Sequence, residues 1–216
     1  MSVTDAPAGG NGFVGQSMKR REDSRMITGR GNYIDDMVLP GMLHMAVVRS
    51  PEAHADIVSI DTEEAKASPG VVAVYTHEDL TDVILGPLPM AWDPPGVEIK
   101  VPEHWPIKKG QVKHVGDPIA VVIAETKGQA MDGADLVIAE LDAKPAVVDP
   151  EKALEEGSPL VWEEFGTNVT HEWAVSGGDF AAAEAEAEVT ITQRVPNHRI
   201  AGAPIEPRGS IGESRA

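Results

Sequence analysis

Seven consecutive residues, Pro118-Ile119-Ala120-Val121-Val122-Ile123-Ala124, carry no polar or charged side chain. A run of that length, β-branched at four positions, fits a strand covered on both faces. The rest of the chain must therefore supply a layer on each side of it. Thr126 followed by Gln129 makes a capping box that opens a helix through about Asp135. Leu136 to Leu141 alternates partly and predicts the next strand, with Ala146-Val147-Val148 as a short partner. Asp149 and Pro150 begin a helix through Glu156.

Upstream, Leu43 to Val48 and then Ile57, Val58 and Ile60 are of strand length. Thr62 to Ala67 holds helix formers behind Asp61, Ser68-Pro69-Gly70 stops them, and Val71 to Tyr75 resumes as a strand. Strand, helix, strand with tight joints predicts a βαβ-type unit and a small mixed sheet with helices packed on it. Residues 81–114 break the rhythm with prolines at 87, 89, 94, 95, 102 and 106. A loop this long needs a surface to dock on, outside itself or at a domain interface, and Trp92 and Trp105 within it need neighbours. Past Trp162 the pattern predicts a strand over Asn168 to Val175, a turn at Gly177-Gly178-Asp179, a short helix over Ala181 to Ala187 and a strand over Val189 to Thr192. Residues 1–15 form a small, polar, disordered leader, residues 16–157 a first domain, and residues 158–216 the beginning of a second.

Charge excludes one class of function. The 216 residues carry a formal charge of −17, and the excess lies in residues 51–216, at −18, against +1 for residues 1–50. Phosphate backbones are repelled by such a surface, and the basic cluster Lys19, Arg20, Arg21, Arg25 and Arg30 lacks interleaved aromatics, so a nucleic-acid partner is not expected. No cysteine is present, which removes disulfides and thiolate-held clusters. No apolar run is long enough to span a membrane, and residues 1–12 lack the pattern of a secretory signal, so a cytoplasmic location is expected. Asn168-Val169-Thr170 is accordingly a turn asparagine before it is a glycosylation acceptor.

Common catalytic constellations are absent: no Gly-x-Ser-x-Gly elbow, no Walker-type phosphate loop and no His-Glu-x-x-His. Gly29-Arg30-Gly31 lacks a third glycine and predicts a turn. The seven histidines are spread singly, with no pair at metal-ligand spacing. Asp35-Asp36 sits before the Pro40-Gly41 turn, where adjacent side chains diverge. Glu206-Pro207-Arg208-Gly209 places a carboxylate and a guanidinium two apart in stiff backbone, suited to a charged contact or an internal salt bridge.

Several stretches resemble one family. Arg21 to Asp36, Pro40-Gly41-Met42-Leu43-His44, Val48 to Ala55, Pro69 to Val74, Val115 to Val122, Pro145 to Pro150 and Asn197 to Gly209 resemble, in order, the start of the molybdenum-hydroxylase large subunit. That family includes xanthine dehydrogenases, aldehyde oxidases and aerobic carbon monoxide dehydrogenases. The resemblance implies an α+β fold: an α/β-hammerhead domain with a core at about residues 28–150, then the incomplete start of a molybdopterin-binding domain. It further implies a molybdenum-molybdopterin cofactor in the complete enzyme, with 2Fe-2S clusters and FAD on partner subunits or domains, and substrates among CO, aldehydes and N-heterocycles. Glu206, Arg208 and Gly209 are the candidate cofactor contacts, and the chain itself contributes no catalytic residue and no metal ligand.

After Ile211-Gly212-Glu213 the family pattern continues with cofactor-contacting segments and a glutamate base, whereas Ser214-Arg215-Ala216 follows here. The expectation is a truncated or split large subunit, inactive alone and binding no cofactor by itself. Its partners would be the remainder of the large subunit, an iron–sulfur subunit and an FAD subunit in a hetero-oligomer. The other reading is a non-catalytic docking module for the flavin or iron–sulfur subunits. Unpaired strands in the second domain would make the isolated chain self-associate.

Overall fold

The computed structural model describes residues 15–92, 94–206 and 208–213; the expected leader, apart from Gly15, lies outside the described residues. The described residues form two units, one from residues 15–40 and 193–213, the other from residues 41–192.

The larger unit is built on the apolar run, and the strand it becomes spans the whole of it. Its elements in chain order are β1 (His44–Arg49), β2 (Ala55–Asp61), a one-turn helix (Glu63–Ala67), β3 (Val71–Tyr75), β4 (Gln111–Val112), β5 (Pro118–Ala124), a longer helix (Lys127–Asp135), β6 (Ile138–Ala143) and a last helix (Phe180–Glu186). The smaller unit contributes one helix, Asp23–Ile27, so the four helices are α1 to α4 in chain order. Two three-stranded sheets form, in the orders β1-β5-β3 and β4-β2-β6. β5 is the centre of the first, with His44 opposite Ala124 on one side and Val71 opposite Ala124 on the other. Its two faces enter different cores. Val122 packs with Ala65, Val74, Ala134 and Leu136 under the helices, while Ile119 packs with Ala55, Val112, Ile57 and Leu141 of the second sheet. The absence of polar residues from this strand is the consequence of that double coverage.

Local signals held where the chemistry is local. Thr126 caps α3, its side-chain oxygen taking the Gln129 N–H at 3.3 Å and donating to Gln129 Oε1 at 2.8 Å. Asp179 caps α4 through the Ala182 N–H at 3.0 Å. Gly70, at φ +81°, turns the chain from α2 into β3. α3 approaches the first sheet closely at Gly133, where an added Cβ would stand 2.9 Å from Val71 Cγ2 and 3.0 Å from Val122 Cγ1.

Pairing differs from expectation. The α+β hammerhead fold is present, but among the described residues every strand pair is antiparallel and no sheet is mixed. β2 and β3 join different sheets and make no βαβ unit: only nine residues separate them, too few to return a strand parallel beside its predecessor. Leu136 and Val137 end α3, their N–H groups bound to Gly133 and Ala134, and the next strand begins at Ile138. The helix expected over Pro150 to Glu156 shrinks to a 3₁₀ turn, Lys152–Leu154: the Asp149 carboxylate caps its start through the Glu151 N–H, but the backbone is already extended at Glu155. Ala146–Val148, 168–175 and 189–192 are not strands. Asn168 instead fastens its own neighbourhood, donating to the carbonyls of Ala153 and Pro159 at 3.1 and 2.9 Å and accepting the Val161 N–H at 3.0 Å.

The proline-rich loop finds its surface on residues 165–171. The Lys100 N–H donates to Thr170 at 2.8 Å, and Trp92 lies against the His171 ring at 5.1 Å. Trp105 meets the His77 ring edge-on at 4.9 Å, with Lys109 Nζ 4.1 Å above it. Among the described residues no helix is long and apolar enough to cross a membrane.

Candidate functional site

The smaller unit brings together the residues that the sequence singles out near its end. Residues 34–36 form a 3₁₀ turn closed by a reciprocal cap, the Tyr33 N–H donating to Asp36 Oδ2 and the Asp36 N–H to the Tyr33 carbonyl, both at 3.0 Å. The Ile34 N–H, left over at the start of that turn, donates to Glu206 Oε1 at 3.0 Å. Gly209 sits on the Ile34 side chain, where a Cβ would come within 2.8 Å of Cγ2. Glu206, Arg208 and Gly209 thus join Tyr33 to Asp36 around a hollow of about 210 Å³. The lining includes three acidic residues, Asp35, Asp36 and Glu206, and one basic residue, Arg208. His198 and Arg199 lie in exposed chain outside this group.

The larger unit holds two polar clusters that the sequence does not reveal. In the first, Asp117 is fully buried and Lys108 is only 5% exposed. Asp117 Oδ2 accepts the N–H groups of Lys113 and His114 at 2.7 and 3.2 Å. Its Oδ1 lies 3.4 Å from Lys108 Nζ, an ion pair, and 3.0 Å from His114 Nδ1, with an aligned hydrogen bond to neither. Lys108 Nζ reaches on to His104 Nδ1 at 3.0 Å. Burial, and then the Lys108 charge, hold His104 below the ordinary histidine value of 6.5.

In the second cluster, Asp56 Oδ1 takes Lys144 Nζ at 2.9 Å and Gln111 Nε2 at 2.6 Å. The Lys144 hydrogen bond, followed by that of Gln111, holds Asp56 below the usual carboxylate value, and the same bond raises Lys144. Lys113, bonded to Gln111 and lying 5.8 Å above the Trp162 ring, is pushed down by burial. His54, 6% exposed, turns Nδ1 to the Pro145 carbonyl at 3.0 Å and leaves Nε2 without a partner. Among the described residues no three His, Cys, Asp or Glu side chains stand together for a metal ion.

Comparison with known proteins places this geometry. The sequence pattern of the aldehyde oxidase and xanthine dehydrogenase a/b hammerhead domain matches residues 28–145. The chain belongs to that family. The nicotine 6-hydroxylase large subunit of Paenarthrobacter nicotinovorans is 36% identical over 93% of this hammerhead chain and 24% of its own length. The carbon monoxide dehydrogenase large chain of Hydrogenophaga pseudoflava is 35% identical, over 88% of this chain and 24% of its own. A crystal structure of a Cu,Mo-CO dehydrogenase in its carbon monoxide reduced state superposes at a TM-score of 0.64, with 36% identity over 81% of this chain and 23% of that one. The chain thus corresponds to the N-terminal part of the family's large subunit and spans about a quarter of the length of the curated relatives it matches.

The family implies a molybdenum-pterin cofactor, and the hollow beside Glu206 tests whether this chain's residues suit one. They do not. A pterin cofactor carries an anionic phosphate, and three carboxylates against one guanidinium repel it. Glu206 and Asp36 already spend oxygens on backbone N–H groups. The close approach at Gly209 accommodates Ile34, a residue of the same chain. The arrangement works as a clasp that joins residues 33–36 to Glu206 and Gly209 within the smaller unit.

Proposed function

We propose that this hammerhead chain is the N-terminal, scaffold-forming part of a cytoplasmic molybdenum-dependent oxidoreductase, oxidising carbon monoxide, an aldehyde or an N-heterocycle when complete. The observation that carries the reading is the hammerhead pattern across residues 28–145 together with 36% identity, over 93% of the chain, to a hydroxylase large subunit. In this reading residues 16–157 are an N-terminal segment and the hammerhead domain, its core at about residues 28–150, and residues 158–216 begin the cofactor-binding domain. The molybdenum-molybdopterin group is held by the rest of the large subunit, and an iron–sulfur subunit and an FAD subunit carry electrons away. A cofactor of this kind supplies the redox chemistry, and protein groups position it. The described residues here contribute structure: a doubly covered central strand and a clasp that ties Glu206 to the Ile34 backbone.

The test is co-expression of the chain with the remainder of a family large subunit and the two electron-transfer subunits. Molybdenum by mass spectrometry and substrate-dependent dye reduction are expected in a complex that retains this chain. A complex that assembles and turns over without the chain, or a chain that enters no complex, would refute the proposal.

A further inference from the structure

The proline-rich loop is crossed near its middle by one backbone bond, from the Leu88 N–H to the His104 carbonyl at 2.8 Å. Four residues on, its floor is set by Lys108, whose N–H donates to the Pro118 carbonyl at 2.7 Å and whose ammonium is buried on Asp117. His104 lies between the crossing and the floor, with Nδ1 3.0 Å from Lys108 Nζ. Lysine offers only donors, so Nδ1 must accept and the imidazole must be neutral, its proton on Nε2.

We infer that His104, Lys108 and Asp117 form an acid-released fastening for the proline-rich loop. Neutral His104 accepts a hydrogen bond from the buried ammonium; protonated His104 offers it a second positive charge and no acceptor. Lys108 cannot retreat, because its partner Asp117 is fully buried and anchored by two backbone N–H groups. His104, exposed where Lys108 is buried, moves instead, and the Leu88 bond, made to the carbonyl of His104 itself, is the one its displacement loosens.

The other charged groups around the site divide in sign. His114 faces Asp117 from the turn after β4, its Nδ1 3.0 Å from the carboxylate. Glu103, beside His104, is engaged by Trp105 Nε1 at 2.9 Å and Lys109 at 3.7 Å. His77, after β3, holds the Ile107 carbonyl at 3.2 Å. Burial and Lys108 lower the His104 affinity for a proton, and Asp117 opposes them. The open loop therefore binds more protons than the closed one once the pH drops below 6.5, and acid favours opening.

The test is amide hydrogen exchange on the full chain at about pH 7.5 and about pH 5.5, corrected for the intrinsic pH dependence of exchange. Leu88 reports the crossing, and Val122, in β5, reports global opening. Loss of a charged hydrogen bond predicts that Leu88 loses protection about tenfold at the lower pH while Val122 keeps its own. His104→Gln retains an acceptor without titrating and is expected to change less than about twofold; His104→Ala is expected to leave Leu88 open at both pH values. His114→Gln should keep the wild-type response. A pH-independent Leu88, an undiminished response in His104→Gln, full protection at about pH 7.5 in His104→Ala, loss of the response in His114→Gln, or parallel loss at Val122 would each overturn the inference.

Discussion

Removing the Asp117 carboxylate is the most severe single change the larger unit offers. Asp117→Ala leaves two backbone donors, of Lys113 and His114, without their acceptor, and strands the ammonium of Lys108 at 5% exposure. Each orphaned buried donor costs about 1–3 kcal/mol, and breaking a buried ion pair by deleting one partner costs about 3–5 kcal/mol. These contributions overlap, because the same desolvation enters both, so a total of about 4 kcal/mol is expected. A domain of ordinary stability, about 5–15 kcal/mol, would survive with little margin. Urea unfolding followed by far-UV circular dichroism, with linear extrapolation, measures the loss on the full chain. The milder pair Asp117→Asn and Lys108→Met closes a double-mutant cycle. Lys108→Met should cost about 3 kcal/mol alone but less than about 1 kcal/mol in the Asp117→Asn background, a coupling of about 2 kcal/mol. A loss under about 1 kcal/mol for Asp117→Ala, or additivity in the cycle, would refute the claim that the pair is desolvated and mutually dependent.

Three further outcomes are expected. Thr126→Ala removes the cap of α3 and should lower stability by about 1 kcal/mol in thermal melts, with Thr126→Ser restoring most of it. Asn168→Ala deletes three hydrogen bonds that hold residues 153–168 together and should speed limited proteolysis within that stretch while leaving β5 amides protected. Asp56 titrates below its ordinary 3.8, chiefly through Lys144, so the stability it contributes is present above pH 3.8 and is lost as the pH falls through its folded value; in Lys144→Met, NMR titration should return Asp56 toward 3.8.

Elements whose cause lies within a few residues were legible. The Thr126 cap and the turn at Gly70 depend on contacts no more than about a turn of chain away, and the β5 run was legible because its composition alone records coverage on both faces. The elements missed were those that needed a partner. Val189 to Thr192 has a strand-like pattern, but a strand exists only when another accepts its hydrogen bonds, and no described segment does so. Glu206, Arg208 and Gly209 stood out in the sequence, yet their use rests on the Ile34 N–H, 172 residues away from Glu206. Lys108 and Asp117 gave no sign of themselves, since a lone lysine and a lone aspartate nine apart match no period, and burial alone makes them a pair.

The amino-acid sequence by itself determined the family, the central strand and the capped helices, because apolar runs, caps and the family's stretches are properties of neighbouring residues. The tertiary structure alone decided that β2 and β3 part into separate antiparallel sheets, that Glu206 holds a backbone N–H, and that one lysine is buried on one aspartate. Those outcomes depend on which surfaces meet once the chain has collapsed, and desolvation then sets the strength of every charge it encloses.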